Sequence, residues 1–262
     1  MFESLFDLPL LIAGPAIIGL LCAFSIGGLV LVRRGVLPSI QIDHHDSHFS
    51  GAMVHSVMVF YGLAVALIAV NVFETSADVE KIVSAEASAL SALYRDTGTY
   101  PDPIRPKLQA ELTDYAQYVI NEAWPAQRTG KILRGGSERL DRFQETLVKY
   151  EPATEREILL HAEALRAYNQ MIVARQMRID VVDTGLPGVM WLVVILGAFI
   201  SLIVAFFFRV DDAWLHSILV TMLAVFIGLV IFMVFALDRP FRGDLGVSPE
   251  PYQLVYEQLM KP

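Results

Sequence analysis

The sequence predicts an all-α integral membrane protein, with four transmembrane helices in two hairpins flanking a helical soluble domain. Three observations predict this. The chain of 262 residues is 55% hydrophobic, with a mean hydropathy of +0.50, more apolar than a water-soluble domain. Its apolar residues fall in four long blocks that carry almost no charge. Between the second and third blocks, apolar residues recur every three and four positions, the period of an amphipathic helix, and no strand alternation competes.

The first block runs from about Leu8 to Val32 and is closed by Arg33 and Arg34. The residues before it, MFESLFDLP, are acidic and lack Lys and Arg. A secretory signal has a basic start and a shorter apolar run, so a retained span is expected. The second block runs from about Ala52 to Phe73 and ends at Glu74. The third runs from about Leu186 to Phe208 and ends at Arg209. The fourth runs from about Ala213 to Leu237 and ends at Asp238 and Arg239. Each is about 20 residues or longer, enough for a hydrocarbon core of about 30 Å. Each must be helical, because lipid offers the backbone no hydrogen-bond partners. Trp191 and Trp214 lie near span ends, where indoles favour the interface.

This layout divides the chain into an N-terminal hairpin (1–74), a helical soluble domain (75–185), a C-terminal hairpin (186–237) and a tail (238–262). Within the domain, helices are expected over 75–96, 104–123, 137–150 and 154–183. The breaks fall at TGTYPDP, WPAQRTG, LRGGS and YEP. Leu108, Leu112, Tyr115 and Val119 form one apolar stripe. Ile158, Ala162, Leu165, Tyr168, Ile172 and Ile179 form another. The segment TERE fits a capping box, with Thr154 as N-cap and Glu157 three residues on. The inner helices continue the second and third spans, with TGLPG marking the latter junction and Pro187 suited to a first turn. In the tail, Ser248 as N-cap and Pro249 at N1 open a short helix with Leu254, Val255 and Leu259 on its apolar side. Positive charge leaves the orientation open. Arg33, Arg34 and Arg209 lie on one side, against Lys81, Arg175, Arg178, Arg239 and Arg242 on the other.

Several function classes are excluded or unsupported. The single cysteine, Cys22, rules out a disulfide within the chain or a multi-cysteine metal site. A net charge of -8 without a basic tract does not suit nucleic acid. There is no Gly-rich phosphate loop, nucleophile elbow or HExxH, so neither an enzyme nor a cofactor is expected.

Candidate functional residues gather around the second span. Ala52, Ser56 and Phe60 are spaced i, i+4, i+8 on one face, with Tyr61 beside them. Gly62, Ala66 and Ala69 form a small-residue face suited to close helix approach. A ring of Phe60 side chains from several subunits can gate by dewetting, and the other reading is an ordinary packing residue. Asn71 and Glu74 either mark a pore mouth or supply a helix-end charge, Glu74 pairing with Arg239 or Arg242. Arg95 either binds an anion or forms a buried ion pair. Asp238, Pro240, Phe241 and Gly243 read as a structural tail motif: a stop, a helix breaker, a plug and a turn. Between the first two spans, His44, His45 and His48 cluster with Asp46, and His55 follows. Three readings stand: a metal site lacking a clear third ligand, a pH-sensing loop, or a polar elbow capped by Asp43 or Asp46. No resident metal is assigned.

Several segments together resemble one family. They are RRGVLP, HHD, VFYGLAVALIAVNVFE, EASALSALYRD, EAWP and ALDRPFRGDLGVSPEPY. The order of elements and these segments are similar to the uncharacterised bacterial bestrophin-like membrane proteins, over nearly the whole chain. They are more distantly similar to the bestrophins, which carry GFY in the second span and an acidic residue followed by PFG after the fourth. Here Val59 to Tyr61 reads VFY and Asp238 to Gly243 reads DRPFRG. No acidic run follows, only Asp244 and Glu250, so a calcium clasp is not implied. The resemblance implies a homo-oligomeric, pentameric channel in the bacterial inner membrane, passing anions such as chloride, with the second span around the axis and the helical domain in the cytoplasm. The partners implied are the lipid bilayer, further copies of the chain and permeant ions. The rival reading is a membrane-anchored sensor or scaffold whose helical bundle binds a ligand or partner.

Overall fold

Lipid leaves the backbone no alternative to helix, and the described residues contain only helices and their connections. A computed structural model describes residues 9–36, 46–208, 210 and 212–261, with the side chains of 46–54 left out. The helices are α1 (Leu10–Leu31), α2 (Asp46–Thr97), α3 (Ile104–Tyr118), α4 (Trp124–Gln127), α5 (Gly135–Val148), α6 (Glu155–Asp180), α7 (Gly188–Phe206), α8 (Ala213–Leu237) and α9 (Glu250–Val255). Wider π turns extend α1 over Val32–Val36, α3 over Val119–Ala123 and α9 over Tyr256–Met260. Among the described residues, four helical segments are long and apolar enough to cross a membrane: Leu10–Val36, His55–Thr97, Gly188–Phe206 and Ala213–Leu237.

The chain separates into two units. The first comprises 1–74 and 185–238, the second 75–184 and 239–262. Helix α2 runs unbroken through the boundary at Glu74. Gly62 does not interrupt it. Helices α6 and α7 are separate, because the chain leaves helical geometry between Asp180 and Gly188. Pro187 sits one residue before the helix, with ψ of 140°, and its carbonyl accepts the amides of Met190 and Trp191.

In the first unit, small residues set the approach of α1, α7 and α8. A Cβ on Gly28 would lie 2.4 Å from the Phe206 ring, and one on Gly228 would lie 3.2 Å from the Ile18 backbone. Phe24 meets Phe199 edge-on at 4.8 Å, and Ser25 donates to the carbonyl of Val220 at 3.3 Å. Such close contact is the main source of helix association in lipid, where hydrophobic burial gains little.

In the second unit, α2, α3, α5 and α6 surround one apolar core, into which the tail inserts Phe241, Val247, Tyr252 and Met260. The α3 stripe of Leu108, Leu112, Tyr115 and Val119 is fully inside. The α6 stripe differs from the expected one. Ile158 is exposed, and the buried face carries Ala164, Ala167, Tyr168, Met171 and Arg178. A charged residue at the last position hides that face from a hydrophobic count.

Thr154 caps α6 and accepts the amide of Glu157 at 3.2 Å, but the Glu157 carboxylate reaches Ala153 at 2.8 Å, one residue short of the usual reciprocal bond. In the tail, Pro249 takes the N-cap position and α9 begins at Glu250. Val255 and Leu259 pack against the core as expected, whereas Leu254 is exposed and Tyr252 and Met260 are buried.

Gly28→Ala is expected to lower stability by about 1–3 kcal/mol through overpacking against Phe206. Gly19, with nothing within 4 Å of its added Cβ, should tolerate alanine at no loss. Thermal unfolding of both variants in one detergent checks the contrast.

Candidate functional site

Helix α2 meets its own unit along a single stripe. Met58, Tyr61, Val65 and Ile68, spaced three and four apart, join the core of α1, α7 and α8, and Val72 continues the stripe as a buried residue. Only 11% of its most apolar window is buried, against 22% for α1 and 33% for α7 and α8.

A second stripe of α2 faces away from that core. Ser56, Phe60, Leu63, Leu67, Asn71 and Glu74 fall within one helical face by their spacing, and all are exposed. Phe60 is 73% exposed. Polar side chains therefore stand at both ends of this face, with three large apolar residues between them. Sequence reading placed Ser56 and Phe60 on one face and took Asn71 and Glu74 together as a second pair at the end of the span. Leu63 and Leu67, which join them, went unremarked in an apolar span, where hydrophobicity alone does not say which side is covered.

Tyr61 is not on this face. Its hydroxyl donates to the Val194 carbonyl at 3.0 Å, and its ring fills the space that Gly197 leaves on α7. Grouping it with Phe60 is corrected accordingly: adjacent residues on a helix point about 100° apart. Ala52, Asp46 and His48 lie within α2, but their side chains are outside the described ones, and His44 and His45 are outside the described residues.

The tail motif closes both units locally. Asp238, buried, accepts the Leu186 amide at 2.5 Å and the Trp191 indole at 3.1 Å within the first unit. Pro240 accepts the Val247 amide at 2.7 Å. Phe241 is fully buried against Trp124, with ring centroids 5.5 Å apart. Gly243 adopts φ of 73°, a left-handed turn that favours glycine, and its carbonyl accepts from Arg128 at 3.0 Å. Arg239 binds Asp183 at 2.7 Å, and the Arg242 guanidinium covers Gly130. Asp183 is the carboxylate that Arg239 is seen to hold.

The strongest buried electrostatics lie in the second unit and were not legible as a motif. Glu86 of α2 is 0% exposed and Arg178 of α6 is 2% exposed. Arg178 donates from Nε to Glu86 Oε2 at 2.5 Å and from a terminal nitrogen to Gln127 at 2.6 Å. Tyr115 donates to Glu86 at 2.8 Å, and the guanidinium lies 5.7 Å from the Trp124 ring and 5.8 Å from that of Tyr252. Burial opposes the Arg178 charge, but Tyr252, Glu86 and Tyr115 around it outweigh burial and hold it protonated well above its ordinary range. Burial, then the Glu86 charge, pushes the Tyr115 and Tyr252 hydroxyls upward, so both stay neutral. Arg95, by contrast, is exposed, so the buried ion pair expected there is made by Arg178 instead.

A shallow cleft at the start of α6 collects Tyr100, Tyr150, Glu157 and His161. Tyr100 shares a proton with His161 Nδ1 at 2.8 Å, and Tyr150 donates to Glu157 at 3.0 Å. Burial lowers the pKa of His161. The Ala153 amide, followed by the Tyr150 hydroxyl, lowers that of Glu157.

In the first unit, His216 of α8 is buried, with Nε2 3.2 Å from the Ala205 carbonyl and Nδ1 3.3 Å from a terminal nitrogen of Arg33. Among the described residues, no group of three or more acidic, histidine or cysteine side chains could hold a metal ion.

Four spanning helices and an uncovered apolar face with polar ends define a multi-pass helical membrane protein. The model of the bestrophin-like domain matches residues 19–252, and the chain belongs to this family, named for the bestrophin ion channels. No curated protein and no solved structure matches the chain.

Arg178→Met should destabilise the protein by about 3–5 kcal/mol, because Glu86 would be left buried and unpaired. Glu86→Leu combined with Arg178→Met should recover much of the loss, as read by thermal unfolding followed by tryptophan fluorescence. The lowered Glu157 pKa gives a second expectation. Its contribution is in place above the ordinary carboxylate range, about pH 4.3, and is lost as the pH falls through the lower folded value. Glu157→Gln should therefore lower the melting temperature near neutral pH and converge with wild type in strong acid.

Proposed function

We propose that the chain is one subunit of a homo-oligomeric, bestrophin-like ion channel, anion-conducting, with α2 lining the pore. The observation that carries this reading is the bare face of α2 from Ser56 to Glu74. A helix that its own chain covers along one stripe is free to face an axis shared with further copies. In a ring, Phe60, Leu63 and Leu67 form an apolar constriction that gates by dewetting. Ser56 lies at one mouth, and Asn71 and Glu74 at the other.

In this reading, α1 with α2 and α7 with α8 form hairpins, and the second unit is a soluble domain on the cytoplasmic side of a bacterial inner membrane. Glu74 carries negative charge, so selectivity for anions depends on what stands beside it in the ring. The family relation supports conduction of ions, and anion preference follows the bestrophins.

Purified protein in planar bilayers should pass ion-selective current, and Phe60→Ala should increase it by widening and wetting the constriction. Tyr61→Phe, which removes a bond to α7 and leaves the exposed face intact, should alter current less. Correctly assembled oligomers that pass no current at any pH or voltage would exclude a channel, and a monomer by native mass measurement would favour a sensor or scaffold.

A further inference from the structure

We infer that the loop of Lys131, Ile132, Leu133 and Arg134 docks on the membrane surface and recognises anionic lipid headgroups. The inference rests on the chain being a membrane protein and does not depend on conduction. It starts from the order KILR, which sets two large apolar side chains between two cations. Ile132 is 51% exposed and Leu133 40%. The backbone leading to them is nevertheless held. Gly130 takes φ of 74°, and the Ala126 carbonyl accepts both the Lys131 amide at 3.0 Å and the Thr129 hydroxyl at 2.7 Å. The turn is also joined to the tail. Arg128 donates to the Gly243 carbonyl at 3.0 Å, and the Arg242 guanidinium lies over Gly130. Two residues beyond Gly243, Leu245 is 59% exposed.

Charge sets this surface apart from the rest of the chain. Residues 128–134 and 242–246 hold Arg128, Lys131, Arg134 and Arg242 against one carboxylate, Asp244, in a protein whose net charge is -8. Glu122 and Glu138 flank the first stretch in sequence. Among the described residues, no carboxylate forms an ion pair with any of the four cations. Apolar side chains that enter the boundary between headgroups and acyl chains, beside cations that meet lipid phosphates, are the two parts of an interfacial anchor. Exposure alone is not enough. Leu159 is 73% exposed on α6, but Glu155 and Glu163 stand four residues to either side of it, and an anionic surface repels them.

The chain keeps the loop near lipid. Arg242 is five residues beyond Leu237, the end of α8, so at most about 18 Å of extended chain separates them. Arg239 binds Asp183 at 2.7 Å, and Asp183 is five residues before α7 begins at Gly188. The tail turn that carries the loop is thus tethered close to the ends of two spans.

The full chain in lipid nanodiscs tests this, with Cys22→Ser and a single cysteine placed by Leu133→Cys or, as the control, Leu159→Cys. Each carries an environment-sensitive fluorophore. The discs contain phosphatidylcholine alone or an equal mixture with phosphatidylglycerol, with and without brominated acyl chains. The label at 133 should shift to the blue and be quenched by bromine when phosphatidylglycerol is present, and the label at 159 should do neither. Lys131→Gln with Arg134→Gln should raise the phosphatidylglycerol fraction needed for half the shift, each cation near an anionic surface being worth about fivefold in affinity. Equal shifts in both lipids, a shift that inorganic phosphate reproduces without phosphatidylglycerol, or quenching no greater at 133 than at 159 would overturn the inference. If the labelled variants fail to fold, hydrogen exchange of the unsubstituted chain decides. Slower exchange over 130–134 with phosphatidylglycerol than with phosphatidylcholine supports the docking, and no difference overturns it.

Discussion

The second unit depends on one buried carboxylate. Glu86 is placed by α2, paired by Arg178 of α6, and hydrogen-bonded by Tyr115 of α3. Arg178 in turn reaches Gln127 of α4 and lies beside Trp124 and Tyr252. Four elements and the tail thus meet around two opposite charges. Removing two ions from water is costly, and a pair this enclosed stabilises little in itself compared with apolar packing. What it contributes is discrimination. A register slip of α2 or α6 would strand a charge in the core, so the pair penalises wrong packings more than it rewards the right one.

The membrane unit is held together by other means. Gly28 takes the Phe206 ring, Gly197 takes Tyr61 and Gly228 takes the backbone of α1. These are contacts of shape, and they leave one helix less covered than the rest. The contrast between a charge-centred unit and a shape-centred unit follows from their expected surroundings. In water, apolar burial drives assembly, and a polar pair can specify it. In lipid, burial drives little, and close approach has to serve.

Much of this was legible in the sequence, for reasons that vary by residue. Four uncharged runs reveal spans because lipid imposes both length and composition. Thr154 announces a helix start because cap chemistry is local. Glu86 and Arg178 could not be read, being 92 residues apart in sequence and joined only by tertiary folding. The same holds for His216 and Arg33, where an isolated histidine in an apolar run gives no hint of its partner. Within the exposed α2 face, the polar ends were visible, but Tyr61 was placed with Phe60. Adjacency in sequence is a poor guide on a helix, and only the Val194 contact shows which way the tyrosine turns.

The polar ends of the bare α2 face have one more consequence. From Ser56 to Glu74 is 18 residues along a helix, about 27 Å at 1.5 Å per residue. The hydrocarbon core of a bilayer is about 30 Å thick. The face is therefore matched to membrane thickness, whereas α8, with 25 residues, rises about 37 Å and must tilt or extend beyond the core. A thinner or thicker bilayer acts unequally on the two helices. It drags Ser56 or Glu74 across the interface while α8 adjusts by leaning, so lipid chain length becomes a physical input to this fold.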